Sequence, residues 1–148
     1  HMWARLIGTA DHDRALGVAV GSDNSIYAVG SLRGNLARLS GASGRDAFVA
    51  KYSAKGDLMW SWLLRTAQDE EAFAVAVAPG GAVAVAGLTE GAMGGQANAG
   101  QNDVFTVSLK ESELSAWPSW ERQPTSEAAA ARAGLFVFAV LLCGASAV

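Results

Sequence analysis

A long internal repeat limits the folds that this chain can adopt. A gapless shift of the sequence that places Trp3 on Trp60 also places Trp60 on Trp117, so the repeat unit extends from one of these tryptophans to the next. Other identities in the same register are Asp46 and Asp103, Phe48 and Phe105, and Gly30 and Gly87. A repeat unit that runs from Trp3 to Trp60 predicts an array of similar structural units.

Each repeat is predicted to form four short β-strands. Apolar runs of strand length alternate with Gly-rich turns, and Pro79-Gly80-Gly81 is typical of a hairpin. The predicted strands are 15–20, 25–30, 46–52 and 58–64 in the first repeat, and 72–77, 82–87, 103–109 and 114–120 in the second. Four strands in each repeat predict an all-β fold made of β-propeller blades, which are four-stranded antiparallel sheets stacked face to face.

The chain divides into four segments. Residues 1–2 match the remnant of a cleaved tag, residues 3–60 and 60–120 are the two repeats, and residues 121–148 depart from the pattern. Three interpretations of this last segment stay open. It can start a third blade, form a helix that covers an open blade face, or place its apolar stretch against a membrane, although that stretch is shorter than a membrane span.

The first repeat resembles the bacterial SBBP repeat, which is named for a seven-bladed β-propeller. The matching segments are Gly17-Val18-Ala19-Val20, Ile26-Tyr27-Ala28-Val29-Gly30, Asp46-Ala47-Phe48-Val49-Ala50-Lys51-Tyr52, Gly56, Leu58 and Trp60. The second repeat departs from this pattern at Ala84, at Ser108-Leu109 and at Glu113. The resemblance implies a propeller in a secreted or surface-displayed bacterial protein, with no general enzymatic activity.

Composition excludes several functional classes. Apolar residues make up 51% of the chain and charged residues 17%, which excludes disorder over most of its length. The net charge of −3 offers no basic field for nucleic acid. His12 is the one histidine outside the tag remnant, so no catalytic triad can be built, and the single Cys143 excludes an intramolecular disulfide. We therefore predict a protein that is not an enzyme.

Two acidic clusters are the first candidate ligand site. Asp11-His12-Asp13 and Asp69-Glu70-Glu71 occupy equivalent repeat positions, in the predicted connection between one blade and the next. Such connections line one rim of a propeller, where carboxylates suit a hard cation such as calcium. The alternative, which we favour, is a solvated acidic loop. Asp46 and Asp103, at the start of a strand in each repeat, are expected to accept hydrogen bonds from nearby backbone amides.

The tryptophans are a second candidate. Trp3, Trp60 and Trp117 recur at the predicted last strand of each blade, where a large ring is expected to pack between blades. Trp62 and Trp120 have no tryptophan at the equivalent earlier position, and stacking of these rings on sugars is the alternative. The long loops at 31–44 and 88–102 are rich in Gly, Ala, Asn and Ser, which favours adaptable polar contacts over catalysis.

Two blades do not close a ring, because a propeller has at least four. The open blade faces of such an incomplete ring predict association with further copies of the chain, as a trimer or a dimer. We expect a module that recognises glycan or protein through its rim loops. The alternatives are a metal-binding or enzymatic propeller that uses the acidic loops, and a purely structural fragment.

Overall fold

The computed structural model describes residues 2–33 and 44–110, together with the backbone of residues 139–140. This part of the chain contains strands and no helix, which confirms the predicted all-β class. The strands are β1 (Arg14–Val20), β2 (Ile26–Arg33), β3 (Arg45–Tyr52), β4 (Leu58–Leu64), β5 (Glu70–Val77), β6 (Ala82–Thr89), β7 (Asp103–Lys110) and β8 (Ala139–Val140).

The strands form two sheets with antiparallel meander topology. Sheet 1 has the order β1-β2-β3-β4, and sheet 2 has the order β5-β6-β7. The short strand β8 pairs in parallel with β4 and so extends sheet 1. The predicted strand 114–120 lies outside the described residues, as does the rest of the segment 121–148. No closed ring of sheets is present among the described residues.

Two strands run past the glycines at which the sequence predicted their ends. Strand β2 continues beyond Gly30 to Arg33, and β6 continues beyond Gly87 to Thr89. Opposite each glycine the neighbouring strand carries a β-bulge, at residues 15–17 and 72–74. A Cβ atom at Gly30 would lie 1.8 Å from the Arg14 carbonyl oxygen. These glycines therefore mark a close backbone approach inside a strand.

The two sheets stack face to face around a shared apolar core. Buried side chains from both sheets form one cluster, which we call the inter-sheet core. Its members are Tyr27, Val29, Ala47, Val49, Trp62 and Leu64 from sheet 1, and Ala72, Val83, Val85, Phe105 and Leu109 from sheet 2. Because side chains alternate along a strand, the opposite face of each sheet lies outside this core.

The opposite face of sheet 1, which we call its outer face, is covered in part by the N-terminal segment. Trp3 and Ile7 pack on a cluster of buried residues from β2, β3 and β4. The Trp3 indole donates a hydrogen bond of 3.1 Å to the Ala54 carbonyl, and its ring centroid lies 6.0 Å from that of Tyr52. The prediction that Trp3 lies in a strand is wrong, since residues 2–13 form none. Trp60, its equivalent one repeat later, packs on the inter-sheet core.

Candidate functional site

The acidic clusters and the long loops lie at one end of the two sheets, which we call the rim. The rim is formed by residues 8–14, 31–33, 44–46, 64–71 and 88–103, where β1, β3, β5 and β7 begin and where β2, β4 and β6 end. The antiparallel meander brings these strand ends together. The sequence prediction that both acidic clusters share one rim therefore has a direct basis in the topology.

A threonine and a carboxylate form the same hydrogen-bonded turn in each repeat. The Thr66 backbone N–H donates to the Glu70 carboxylate at 2.6 Å, and the Thr66 hydroxyl donates to the same group. Thr9 and Asp13 make the equivalent two contacts one repeat earlier. These bonds shape the connection that leads into the first strand of each sheet, so the carboxylates of Asp13 and Glu70 have structural partners.

Glu70 is buried, contrary to the prediction of a solvated acidic loop. It is the first residue of β5, and its exposed fraction is 1%. Thr89 donates a third hydrogen bond, of 2.9 Å, to its carboxylate. Burial raises the pKa of the Glu70 carboxyl above its ordinary value, and hydrogen bonds from Thr66 and Thr89 oppose this effect. A buried carboxylate with these donors is not free to take a ligand.

The raised pKa of Glu70 predicts a pH-dependent contribution to stability. The folded state binds this proton more tightly than the unfolded state, so the contribution is present below the ordinary pKa of 4.5 and is lost as pH rises through the folded pKa. Replacing Glu70 with Gln removes the titration. We expect the variant to gain less unfolding free energy than the parent chain when pH falls from 7 to 5.

Urea unfolding at both pH values measures this difference. Glu90→Gln, at an exposed carboxylate of the same rim, is the control and should follow the parent chain. An equal gain in the parent chain and in Glu70→Gln would contradict the buried placement of Glu70.

Arginine side chains hold the other two carboxylates of this acidic cluster. The Arg45 Nε lies 3.1 Å from Asp69 Oδ2, and its backbone N–H donates to Asp69 Oδ1 at 3.0 Å. Glu71 accepts a hydrogen bond of 2.8 Å from Ser31 and lies 3.6 Å from Arg14. The Arg45 guanidinium also lies 3.7 Å from Glu71. Since Ser31, Arg14 and Arg45 belong to sheet 1 and Glu71 to sheet 2, the contacts with Glu71 connect the two sheets at the rim.

The electrostatic balance at Asp69 agrees with this pairing. Burial alone would raise the pKa of its carboxyl, but hydrogen bonds from Arg45 and the charges of Arg45 and Arg33 outweigh that effect and hold the pKa below its usual value. Asp69 is therefore a charged partner of arginine at the rim.

The aspartates at the start of the third strand of each repeat have different partners. Asp103 accepts a hydrogen bond of 2.6 Å from the Ala99 backbone N–H, which fixes the end of the preceding loop. Asp46 is buried, with an exposed fraction of 4%, and lies 3.7 Å from the Arg65 guanidinium. Burial raises the pKa of Asp46, and the Arg65 charge opposes the rise.

The calcium hypothesis receives no support from the geometry of the rim. Within residues 2–33 and 44–110, no three His, Cys, Asp or Glu side chains come together in a way that can hold a metal ion. Asp11 and His12 are exposed, while Asp13, Asp69 and Glu70 are engaged by protein donors. The carboxylates are therefore not directed at one common point.

Trp62 is not available for stacking on a sugar, contrary to one of the predictions. Its exposed fraction is 9%, and it belongs to the inter-sheet core, with its ring centroid 6.4 Å from that of Trp60. The alternation of side chains along β4 turns this residue toward sheet 2. Trp117 and Trp120 lie outside the described residues.

The loop between β6 and β7 has a definite shape. Met93 and Gln96 pair through two backbone hydrogen bonds of 3.1 Å, and Gly94 and Gly95 between them both have positive φ, at 62° and 75°. This is the geometry of a tight type I′ turn. The Asn98 amide donates to the Thr89 carbonyl at 3.2 Å, which ties the loop back to the end of β6. The Gly94-Gly95 pair was the signal from which this turn could have been predicted.

Two adjoining clefts lie beside this loop. The first, of about 220 Å³, is formed against the ends of β4 and β7, and the second, of about 330 Å³, lies within the loop itself. They share the side chains Met93, Gln96, Val104 and Phe105. The first cleft is also lined by Thr106 and by Arg65, whose guanidinium is already close to Asp46. An amide and a hydroxyl beside apolar side chains can hydrogen-bond and pack against an uncharged polar ligand.

Comparison with known proteins gives one partial match. No family model matches the chain. The regulatory protein FlaEY of Caulobacter vibrioides is 34% identical over 97 residues, which are 60% of this chain and 10% of that protein. The chain thus spans about a tenth of the length of this curated relative. Among the described residues, no helix is long and apolar enough to cross a membrane.

Proposed function

We propose that the chain is a non-catalytic recognition module, made of two consecutive β-propeller blades, whose ligand is a neutral glycan held at the rim. The observation that carries the proposal is the pair of clefts beside the loop 90–102. The loop is shaped by its own hydrogen bonds and therefore needs little ordering on binding. This rigidity favours a site for recognition.

The chemistry of the clefts favours a neutral sugar. Gln96 and Thr106 are exposed polar side chains without charge, and Met93 and Val104 supply apolar surface beside them. Sugars present hydroxyl groups and apolar C–H faces, which these side chains match in kind. Asp103 lines the second cleft, but its carboxylate accepts a hydrogen bond from the Ala99 backbone N–H. Asp13, Glu70 and Asp69 likewise have threonine or arginine partners, so these carboxylates contribute to structure here.

The propeller arrangement is supported by the repeat and by the stacking of the two sheets. The residues of sheet 2 that face sheet 1 are the repeat equivalents of the outer-face residues of sheet 1. In such a front-to-back stack, one face of each sheet packs on the opposite face of the next sheet, and adjacent blades form this arrangement. The resemblance to the SBBP repeat further favours a secreted or surface protein of a bacterium, and the name of the relative, a regulatory protein, is compatible with a binding role.

Binding to a printed array of neutral oligosaccharides tests this function. For a sugar that binds, replacing Gln96 with Ala should weaken affinity about 10-fold, because one hydrogen bond of about 1–1.5 kcal/mol is lost. Gln68→Ala is the matched control, since Gln68 is an exposed glutamine of the same rim outside both clefts. Calorimetry on the bound sugar provides the affinities.

Absence of binding to every neutral oligosaccharide would contradict the proposal. An equal loss of affinity in Gln68→Ala and Gln96→Ala would contradict the position of the site.

A further inference from the structure

Two valines of β1 are exposed on the outer face of sheet 1. The exposed fraction of Val18 is 70% and that of Val20 is 62%. They pair across the strands with Ala28 and Ile26, which pack on the outer-face cluster of sheet 1. The N-terminal segment packs on this cluster but leaves the two valines uncovered. This half of the face is thus apolar and open to solvent.

The repeat contains an internal control for this surface. Val75 and Val77 are the equivalents of Val18 and Val20 in sheet 2, and they pack against the inter-sheet core. Their strand partners Val85 and Val83 have exposed fractions of 1% and 0%. The same apolar positions are therefore covered in sheet 2, where a neighbouring sheet is present. The outer face of sheet 1 has the composition of a face that another sheet covers.

The far face of sheet 2 has complementary properties. Ala74 and Ala76 on β5 pair with Ala86 and Ala84 on β6, and together they form a patch of small side chains without charge. The positions of Ala84 and Ala86 correspond to Tyr27 and Val29 of sheet 1, which fill the inter-sheet core. The large side chains that pack against the next sheet in the first repeat are thus replaced by alanine in the second.

We propose that a second copy of this chain packs head to tail on the first. The alanine patch of one copy covers Val18 and Val20 of the next, so that large side chains meet small ones. The contact continues the front-to-back order that sheets 1 and 2 already follow within one chain, and such a heterologous contact is the kind that closes rings. The contact uses the β5–β6 half of the face and leaves Val104 and Thr106 on β7, beside the clefts, accessible.

This inference rests on the proposed stacking of blades and is independent of the glycan. Light scattering on a sizing column, with the full chain, is expected to give one discrete mass that corresponds to several chains of 15.2 kDa. Val18→Asp and Ala84→Asp each place a charge on one open face and should each reduce the mass toward that of one chain. Ser22→Asp, which adds the same charge in an exposed turn, should leave the mass unchanged.

Mixing the two face variants distinguishes the head-to-tail contact from a symmetric one. Val18→Asp retains the alanine patch and Ala84→Asp retains the valines, so an equimolar mixture should form a one-to-one dimer. A parent chain of 15.2 kDa would overturn the proposal. An associated parent chain whose face variants do not recombine would overturn the head-to-tail arrangement. Gln96→Ala should leave the mass unchanged, so that failure of sugar binding and failure of assembly are seen separately.

Discussion

Replacing Gly30 with alanine is expected to lower the free energy of unfolding by about 3 kcal/mol or more, because overpacking against backbone cannot be relieved by a rotamer change. The new Cβ would lie 1.8 Å from the Arg14 carbonyl oxygen and 3.0 Å from the Ala15 Cα. Strand β1 would have to move away from β2, and the bulge at residues 15–17 would be lost. Urea unfolding followed by tryptophan fluorescence measures the change.

The second repeat provides a parallel variant. At Gly87 a Cβ would lie 2.1 Å from the Glu71 carbonyl oxygen and 2.6 Å from the Phe105 ring, so Gly87→Ala should cost a similar amount. Gly80→Ala is the control, since no atom lies within 4 Å and the glycine is not in the left-handed region. This control should be neutral or stabilising by up to about 1 kcal/mol. A cost below about 0.5 kcal/mol for Gly30→Ala, the range of ordinary surface changes, would contradict the close approach of β1 and β2.

Replacing Trp62 with alanine is expected to lower the free energy of unfolding by about 3–5 kcal/mol, the range for large-to-small changes at buried aromatic residues. The indole is 9% exposed and packs in the inter-sheet core. The cavity left by the substitution would lie between the two sheets, so both sheets should lose stability together. Unfolding by urea, with near-UV circular dichroism to report on aromatic packing, measures the effect.

The matched control for Trp62 is another large apolar residue of the same strand. Met59 is 46% exposed, and Met59→Ala should cost less than about 1 kcal/mol. If Trp62→Ala were equally mild and abolished sugar binding, the ring would be a ligand platform at the surface. That result would contradict its placement in the inter-sheet core.

Much of the strand order could be predicted because each repeat carries its own turn signals. Pro79-Gly80-Gly81 separates β5 from β6, as expected from the conformational preferences of Pro and Gly. The alternation in 46–52 likewise identified β3, which runs over Arg45–Tyr52. Such local signals suffice to predict the strand order where one strand follows another through a short turn.

The ends of β2 and β6 could not be predicted from the same signals. The sequence predicts that these strands end at Gly30 and Gly87, because a long loop rich in small residues is predicted after each glycine. In the structure both positions lie inside a strand and require glycine, because a Cβ atom there would collide with the carbonyl oxygen of Arg14 or of Glu71. This contact joins residues that are distant in sequence, and no local pattern reports it.

The acidic cluster Asp69-Glu70-Glu71 shows that prediction from sequence has the same limit at the rim. Nothing in its local sequence indicates that Glu70 is buried, because the donors are spread from Thr66 to Thr89. The partner of Asp69 is Arg45, which lies on β3 and is distant from it in sequence. Clusters of carboxylates look alike in sequence whether they are solvated, paired or metal-binding. Only the fold decides which donors reach them.

For the region of the two clefts, the sequence predicts only a polar loop, at residues 88–102. Their walls also include Leu64 and Phe105, which belong to strands on either side of the inter-sheet core. A cleft formed by two sheets and a loop depends on how the sheets stack. The type I′ turn at Gly94-Gly95 is the part that sequence can identify, because its two positive φ angles require glycine-like freedom.

The central claim is that the two repeats stack front to back as neighbouring blades, and methyl–aromatic nuclear Overhauser effects test it most directly. On the Val18→Asp variant, which we expect to be a single chain, the methyl groups of Val83 and Val85 should show contacts to rings of sheet 1 in the inter-sheet core, including Tyr27 and Trp62. The methyl groups of Ala84 and Ala86 should show none. Contacts from Ala84 and Ala86 to the rings of sheet 1, with none from Val83 and Val85, would contradict the claim.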